Sequence, residues 1–151
     1  MHSDPHCQTA SIAVRVPAIQ AFEYMSDGQR QGEWTLGSWN RRHILNTPAG
    51  DVFAGESLVD GSTLYVRPRG HVDSLLVDYD VGPSPDSLVH LISARIIPGP
   101  NLGRSENECV ITLMSWRGQT DSDEAWTLDS HLFNAEMLII RNRLEGSFRT
   151  E

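Results

Sequence analysis

The chain has 151 residues, a formal net charge of −8 and a pI near 5.1; this is the length of one domain that can bury a sizeable core. The acidic balance argues against nucleic acid or a membrane as a partner, because both are bound through basic patches. All 12 basic residues are Arg. The absence of Lys excludes Schiff-base chemistry, a lysine-anchored pyridoxal cofactor and a Walker-type phosphate loop, and no cofactor is predicted.

The cysteines and the N-terminal residues indicate the cellular compartment of the protein. Cys7 and Cys109 provide no disulfide framework and fit a reducing environment. The start, MHSDPHCQTA, does not read as a signal peptide, and no window reaches the roughly 18 apolar residues of a membrane span. We therefore expect a cytoplasmic protein. His2, His6 and Cys7 are metal-ligand types, but a flexible terminus lacks the rigid surroundings of a metal site, so none is predicted.

The first third of the chain predicts one strand and two short helices. Alternation over residues 9–16 predicts a strand, which Pro17 ends. A helix then follows over Ala18 to Ser26, with the proline at its start. A second, weaker helix is expected from about Gln29 to Leu36, kept short by its glycines.

The middle of the chain predicts six strands joined by short turns. Since no helix intervenes, these strands form an antiparallel sheet. Their expected ranges are 41–46, 52–59, 63–69, 72–81, 88–97 and 108–116.

The last element is one long amphipathic helix, DSDEAWTLDSHLFNAEMLIIRNRLE, over residues 121–145, with Asp121 and Glu124 as a capping arrangement. At roughly 100° per residue, Asp129 and Glu136 point at the middle of its apolar arc, and Leu138 lies outside that arc. Because burying an unpaired carboxylate costs several kcal/mol, the face is expected to border a partly polar cavity. The alternative is a slight rotation or fraying of the helix that lets both acids reach water.

The order of elements resembles the SRPBCC superfamily, which includes START-like, helix-grip and polyketide cyclase/dehydratase-like proteins. The resemblance covers about residues 9–145 and rests on VRVPAIQAFEYMSD, EWTLGSW and the closing RNRLE. It implies an α+β helix-grip fold: a seven-stranded curved antiparallel sheet, two short helices after the first strand, and a long C-terminal helix across the concave face. We expect a disordered segment at 1–8, one domain at 9–146 and a tail at 147–151.

The resemblance also implies a pocket between the sheet and the long helix for a hydrophobic or amphipathic small molecule. Trp34 and Trp39 are expected at its mouth, whereas Trp116 and Trp126 are expected to be core or helix-anchoring residues. Along the helix, the expected lining residues are Asp129, Phe133, Glu136, Met137 and Ile140.

Which polar side chains of the sheet point inward depends on the register of the strands. Tyr65 and Arg67 share one strand face, with Arg69, while His90 shares a face with Ile92, Ala94 and Ile96. Arg95 alternates with Val89, Leu91 and Ile97 and is a candidate inward partner for Asp129 or Glu136. Each of these groups also has a purely structural interpretation, as a satisfied core histidine or a buried ion pair.

The sequence is compatible with two main functions. The first is a ligand-binding or carrier domain. The second is a polyketide cyclase/dehydratase-like enzyme, in which Glu136, His90 and Arg95 are the catalytic candidates. A protein-interaction adaptor fits the fold, but no feature of the sequence points to it. The oligomeric state stays open, with a homodimer as one outcome.

Overall fold

The computed structural model describes residues 4–146, and its elements follow the order expected from the sequence. The strands are β1 (Cys7–Val14), β2 (Trp39–Thr47), β3 (Gly50–Glu56), β4 (Thr63–His71), β5 (Leu76–Gly82), β6 (Val89–Pro98) and β7 (Cys109–Trp116). The helices are α1 (Ala18–Ser26), α2 (Gly28–Gln31) and α3 (Asp123–Glu145). The predicted α+β helix-grip architecture is confirmed.

The seven strands form one curved antiparallel sheet in the order β1-β7-β6-β5-β4-β3-β2. Six of them run as a meander, and β1 adds to the far side of β7, where Ile12 pairs with Ile111. The two edge strands are therefore β1 and β2, at opposite ends of the sheet.

The inner face of the sheet, which we define by the buried side chains of Val66, Tyr79, Ala94 and Leu113, packs against the helices. The Tyr79 hydroxyl donates a hydrogen bond to the Met25 carbonyl of α1 at 2.5 Å. Because side chains alternate along each strand, the intervening residues lie on the outer face. The main hydrophobic core therefore lies between the inner face and the helices.

The helical segment after β1 is shorter than predicted. α2 has a single turn, capped by Asp27, whose carboxylate accepts from the backbone N–H of Gln29 and Arg30. The expected continuation to Leu36 is wrong, and turns occupy residues 32–38 instead. Gly32 follows the helix and packs closely on β2, since a Cβ there would lie 2.7 Å from the backbone nitrogen of Arg41.

α3 begins one residue after its cap. Ser122, rather than the predicted Asp121, accepts a hydrogen bond from the Ala125 N–H at 3.1 Å. The helix ends at Gly146, whose φ of 74° suits a residue without a Cβ. Among the helices of residues 4–146, none combines the length and apolarity needed to cross a membrane.

Several strand boundaries differ from the prediction by two to four residues, including the starts of β5 and β1. β5 starts at Leu76 because Val72–Ser74 form a 3₁₀ turn and Leu75 follows with a φ of 51°. β1 starts at Cys7, so part of the segment expected to be disordered belongs to the sheet. His2 and the predicted tail at 147–151 lie outside the described residues.

Candidate functional site

A cavity of about 200 Å³ lies between the inner face of the sheet and α3. Its apolar wall combines aliphatic side chains of the strands with three tryptophans and one phenylalanine. The lining residues of this wall are Trp34, Leu64, Val81, Leu91, Ile92, Leu113, Trp116, Trp126, Leu132 and Phe133. The polar lining residues are Gln8, Gln31, Thr35, Ser115, Asp121, Asp129 and Glu136.

α3 presents one continuous line of side chains to the cavity. Trp126, Asp129, Phe133 and Glu136 all line it, and their spacing of three and four residues keeps them on one helix face. Ten residues of helix rise about 15 Å, so the line extends from the start of the helix past its middle. The cavity is therefore elongated along α3.

Glu136 is the buried acid of the site. Its residue exposure is 8%, and its Oε2 accepts a hydrogen bond from the Leu36 N–H at 2.8 Å. Burial raises the pKa of Glu136 to about 8, against the opposing effect of the Leu36 hydrogen bond, and the charge of Asp129 adds to the rise. The carboxyl can therefore hold or release a proton near neutral pH.

Arg41 is the buried cation next to Glu136. Its guanidinium donates from Nε to the carbonyl and the hydroxyl of Ser38 at 3.3 and 3.2 Å, and from Nη1 to Gln31 Oε1. Burial lowers its pKa to about 9, and Arg41 and Glu136 attract each other electrostatically. An Arg beside the helix acids was expected from the sequence, but it comes from β2 rather than from position 95.

Asp129 lies one turn closer to the start of α3 than Phe133 and is more open to solvent than Glu136. Partial burial raises its pKa to about 6, and the negative charge of Asp121 contributes to the same shift. The two acids of the helix therefore differ, with one deep and one near the open end.

Three buried polar atoms of lining residues have no hydrogen-bond partner among the described residues. They are Gln8 Nε2, Trp34 Nε1 and Thr35 Oγ1. Trp34 as a whole is only 2% exposed. Since buried polar groups are normally satisfied, these atoms are available to a bound molecule or water.

The predicted strand residues of β4 lie on the other side of the sheet. Val66 faces the core, so Tyr65 and Arg67 lie on the outer face. There Arg67 Nε and Arg69 Nε donate to Asp80 Oδ2 at 3.0 and 2.9 Å. This arrangement corrects the expectation that Tyr65 and Arg67 line the pocket.

His90 and Arg95 are also outside the cavity. A β-bulge shifts the register of β6 between His90 and Ile92, so that His90 pairs with Asp80 on the outer face. His90 Nε2 lies 2.8 Å from Ser93 Oγ and 3.2 Å from Asp78 Oδ1. Arg95 is exposed, between the fully buried Ala94 and Ile96. The expected shared face of His90 and Ile92 and the inward Arg95 are both wrong.

The remaining predicted residues divide between the core and the sheet edge. Met137 and Ile140 are 3% and 0% exposed and belong to the hydrophobic core, outside the cavity lining. Trp39 opens edge strand β2 opposite Glu56 and does not line the cavity. Trp116 and Trp126, expected in structural roles, do line it.

Several lining residues were not singled out from the sequence. Gln8 lies two residues before Ala10 on the inner face of β1. The alternation of side chains predicts this position once the strand is extended back from Thr9 to Cys7. Ser115 shares this signal on β7, two residues after Leu113. For Gln31 and Thr35, in a short helix and a turn, the sequence carries no periodic signal.

The architecture and the cavity define a helix-grip domain with an SRPBCC-like fold. The Zhui aromatase/cyclase from Streptomyces sp. R1128 is similar, with a TM-score of 0.70 and 13% identity over 95% of this chain and 96% of that one. A START superfamily protein from Mycobacterium smegmatis has a TM-score of 0.66 and 9% identity, over 93% of this chain and 98% of that one.

The di-domain ARO/CYC StfQ from the steffimycin biosynthetic pathway is also similar, with a TM-score of 0.68 and 12% identity. The alignment covers 91% of this chain but only 45% of StfQ, so the chain spans less than half of that protein. No protein-family model and no curated protein matches the sequence. At these identities the likeness establishes the fold, and function is argued from the cavity.

Proposed function

We propose that the protein binds a hydrophobic or amphipathic small molecule in the cavity between the inner sheet face and α3. The observation that carries this proposal is the set of buried, unpartnered polar atoms of Gln8, Trp34 and Thr35 within an otherwise apolar wall. A sealed core would satisfy such groups, whereas ligand sites combine apolar walls with a few open polar groups.

The volume of the cavity limits the size of the ligand. Its volume of about 200 Å³ lies below the roughly 300–1,000 Å³ typical of pockets for drug-sized molecules. The ligand is therefore a compact molecule, and an extended chain would reach outside the cavity. Aromatic side chains such as Trp34 and Phe133 suit a flat ring.

Filling the cavity tests the proposal. Leu132→Trp places a large side chain in the cavity, whereas Leu138→Trp adds the same ring at a position of α3 that is 50% exposed and does not line it. Calorimetric titration with the neutral probe 1-naphthalenemethanol is expected to show binding to the unaltered protein and to Leu138→Trp, and a loss of at least tenfold in affinity for Leu132→Trp. Equal binding by all three proteins would exclude the cavity as the site.

A second candidate is an enzyme that transfers a proton next to a carbonyl group, as in cyclase/dehydratase-like chemistry. The observation that favours it is Glu136, a cavity carboxyl whose pKa of about 8 suits an acid or base near neutral pH. Of the three catalytic candidates named from the sequence, His90 and Arg95 lie outside the cavity and Glu136 lines it.

The second candidate is tested by hydrogen–deuterium exchange at the central carbon of 1-phenylbutane-1,3-dione, followed by NMR. The unaltered protein and His90→Ala are expected to accelerate exchange, and Glu136→Gln to lose the acceleration. Exchange that is unaffected by Glu136→Gln would rule out catalysis by this carboxyl and leave binding as the function.

A further inference from the structure

The charges that line the cavity are all of one sign. Asp121, Asp129 and Glu136 contribute carboxyl groups, and no Arg or His is among the described residues that line it. These acids lie close enough for Asp121 to act on Asp129 and for Asp129 to act on Glu136 electrostatically. A ligand in the cavity therefore meets a negative potential.

Two of the three carboxyl groups have positive or hydrogen-bonding neighbours. Glu136 accepts from the Leu36 N–H and is attracted by buried Arg41. Asp121 Oδ2 accepts from the Gly118 N–H at 2.8 Å, and Arg117 donates to the Asp121 carbonyl at 2.9 Å. Their charges are thus partly compensated within the protein.

Asp129 differs from these two. Within residues 4–146 the carboxyl of Asp129 makes no hydrogen bond or ion pair. The ionisable groups with which it interacts electrostatically are two other acids, Asp121 and Glu136. Although Asp129 is solvent-exposed, it lies close enough to Asp121 to feel its charge, and a carboxylate beside another acid gains free energy from a cation, so Asp129 is the uncompensated acid of the cavity.

The indole ring of Trp126, on the same face of α3 as Asp129, suits a cation as well. Trp126 precedes Asp129 by three residues on the lining face of α3. Trp116, at the end of β7, is exposed and packs its ring against His90, with the ring centroids 5.9 Å apart. Indole rings attract an ammonium group through their negative faces, most strongly where water is excluded.

A separate observation favours a ligand that also carries an acceptor. The indole N–H of Trp34 is buried without a partner in a residue that is 2% exposed, and an indole can only donate. Gln8 Nε2 is a second unpartnered donor of the lining. A hydroxyl, ether or carbonyl oxygen would satisfy them, and a pure hydrocarbon would not.

From these contacts we infer that the ligand is a compact aromatic amine that carries an oxygen acceptor, with its ammonium bound by Asp129. This inference rests on the proposed binding function and specifies the class of ligand. A carboxylate of the same shape would meet the repulsion of Asp121 and Asp129.

Three probes with one ring system test the inference by calorimetry at pH 7.5: 1-naphthylmethylamine, the neutral 1-naphthalenemethanol and the anionic 1-naphthoate. We expect the amine to bind at least about tenfold more tightly than the acid, which corresponds to about 1.4 kcal/mol. The preference should weaken as salt is raised, because exposed and partly exposed charges are screened.

Asp129→Asn is expected to reduce the preference, taken as the ratio of the amine and acid affinities, to threefold or less. Glu124→Gln, an exposed acid of the same helix outside the cavity, should keep the full preference. Binding of the neutral probe with no preference for the amine would overturn the inference and leave the proposed function standing. A preference that survives Asp129→Asn would also overturn it, and no binding of any probe would contradict the proposed function itself.

Discussion

The backbone N–H of Leu36 donates a hydrogen bond to Glu136 Oε2 at 2.8 Å, across 100 residues of sequence. This bond joins the turn segment after α2 to the middle of α3, and the Leu36 carbonyl in turn accepts from the Leu58 N–H at 3.0 Å. The segment that carries Trp34 and Thr35 is therefore fixed between α3 and the β3–β4 loop.

The raised pKa of Glu136 makes stability fall as pH rises. Since the folded state holds this proton up to about pH 8 and the unfolded state releases it near 4.5, the free energy of unfolding decreases between these values, by up to about 1.4 kcal/mol per pH unit. Urea denaturation at pH 6.5, 7.25 and 8 should show this decrease and a flatter profile for Glu136→Gln. The exposed Glu106→Gln serves as control, and an identical slope in all three proteins would contradict the assignment.

Asp80 is expected to stabilise the outer face through its two Arg partners. Burial opposes its ionisation, but hydrogen bonds from Arg69 and Arg67 outweigh burial and lower the pKa of Asp80. Asp80→Asn should reduce the free energy of unfolding by about 2 kcal/mol near neutral pH. The difference should shrink as pH falls through the lowered pKa, because the stabilisation needs the ionised form.

The exposed pair of His43 and Asp51, 3.8 Å apart, offers the matched control for Asp80. Asp51→Asn should change stability by less than about 0.5 kcal/mol, since exposed ion pairs contribute little. Equal effects of the two substitutions in thermal or urea unfolding would show that the Arg67–Asp80–Arg69 cluster is not specially stabilising.

Gly55 is expected to be required for the position of the turn segment. A Cβ at Gly55 would lie 2.7 Å from both Ser38 Oγ and the Trp39 carbonyl, whereas a Cβ at Gly37 meets nothing within 4 Å. Gly55→Ala should therefore cost about 1–3 kcal/mol in unfolding free energy and weaken probe binding, and Gly37→Ala should leave the unfolding free energy unchanged within about 0.5 kcal/mol. Tolerance of Gly55→Ala would mean that the segment moves more freely than these contacts allow.

The two thiols should differ in reactivity. Burial, with a contribution from the charge of Glu108, raises the pKa of Cys109 to about 11, while Cys7 is only half-buried. Because the thiolate is the reactive form, iodoacetamide should modify Cys7 at least about tenfold faster, as followed by peptide mass mapping. Rapid labelling of Cys109 in a Cys7→Ser variant would indicate that β7 opens locally.

The sequence predicted the structure well wherever apolar residues recur with the period of a helix or a strand. The order of the elements, the start of α1 after Pro17 and the inward direction of Glu136 all follow from the spacing of apolar residues. The face of His90 could not be obtained in this way, because a bulge between His90 and Ile92 reverses the alternation, and a shift of one residue moves every earlier side chain to the opposite face.

Arg41 was missed for a different reason. It is one of two adjacent arginines in an edge strand, and only its packing beside Gly32 and its hydrogen bonds to Ser38 and Gln31 make it buried, at 4% exposure. Such long-range packing has no signature in the sequence of β2. The same holds for Thr35, which reaches the cavity through an irregular turn.

The first strand also connects the beginning of the chain to the open end of the cavity. The Pro5 carbonyl accepts from Trp126 Nε1 at 3.2 Å, the His6 carbonyl accepts from the Arg117 N–H at 2.8 Å, and Gln8 lines the cavity. A chain shortened to begin at Thr9 would therefore lose part of the cavity wall and the hydrogen bond that holds the Trp126 ring. Protein used for ligand measurements should therefore keep residues 5–8, and a label attached there would lie beside the cavity wall.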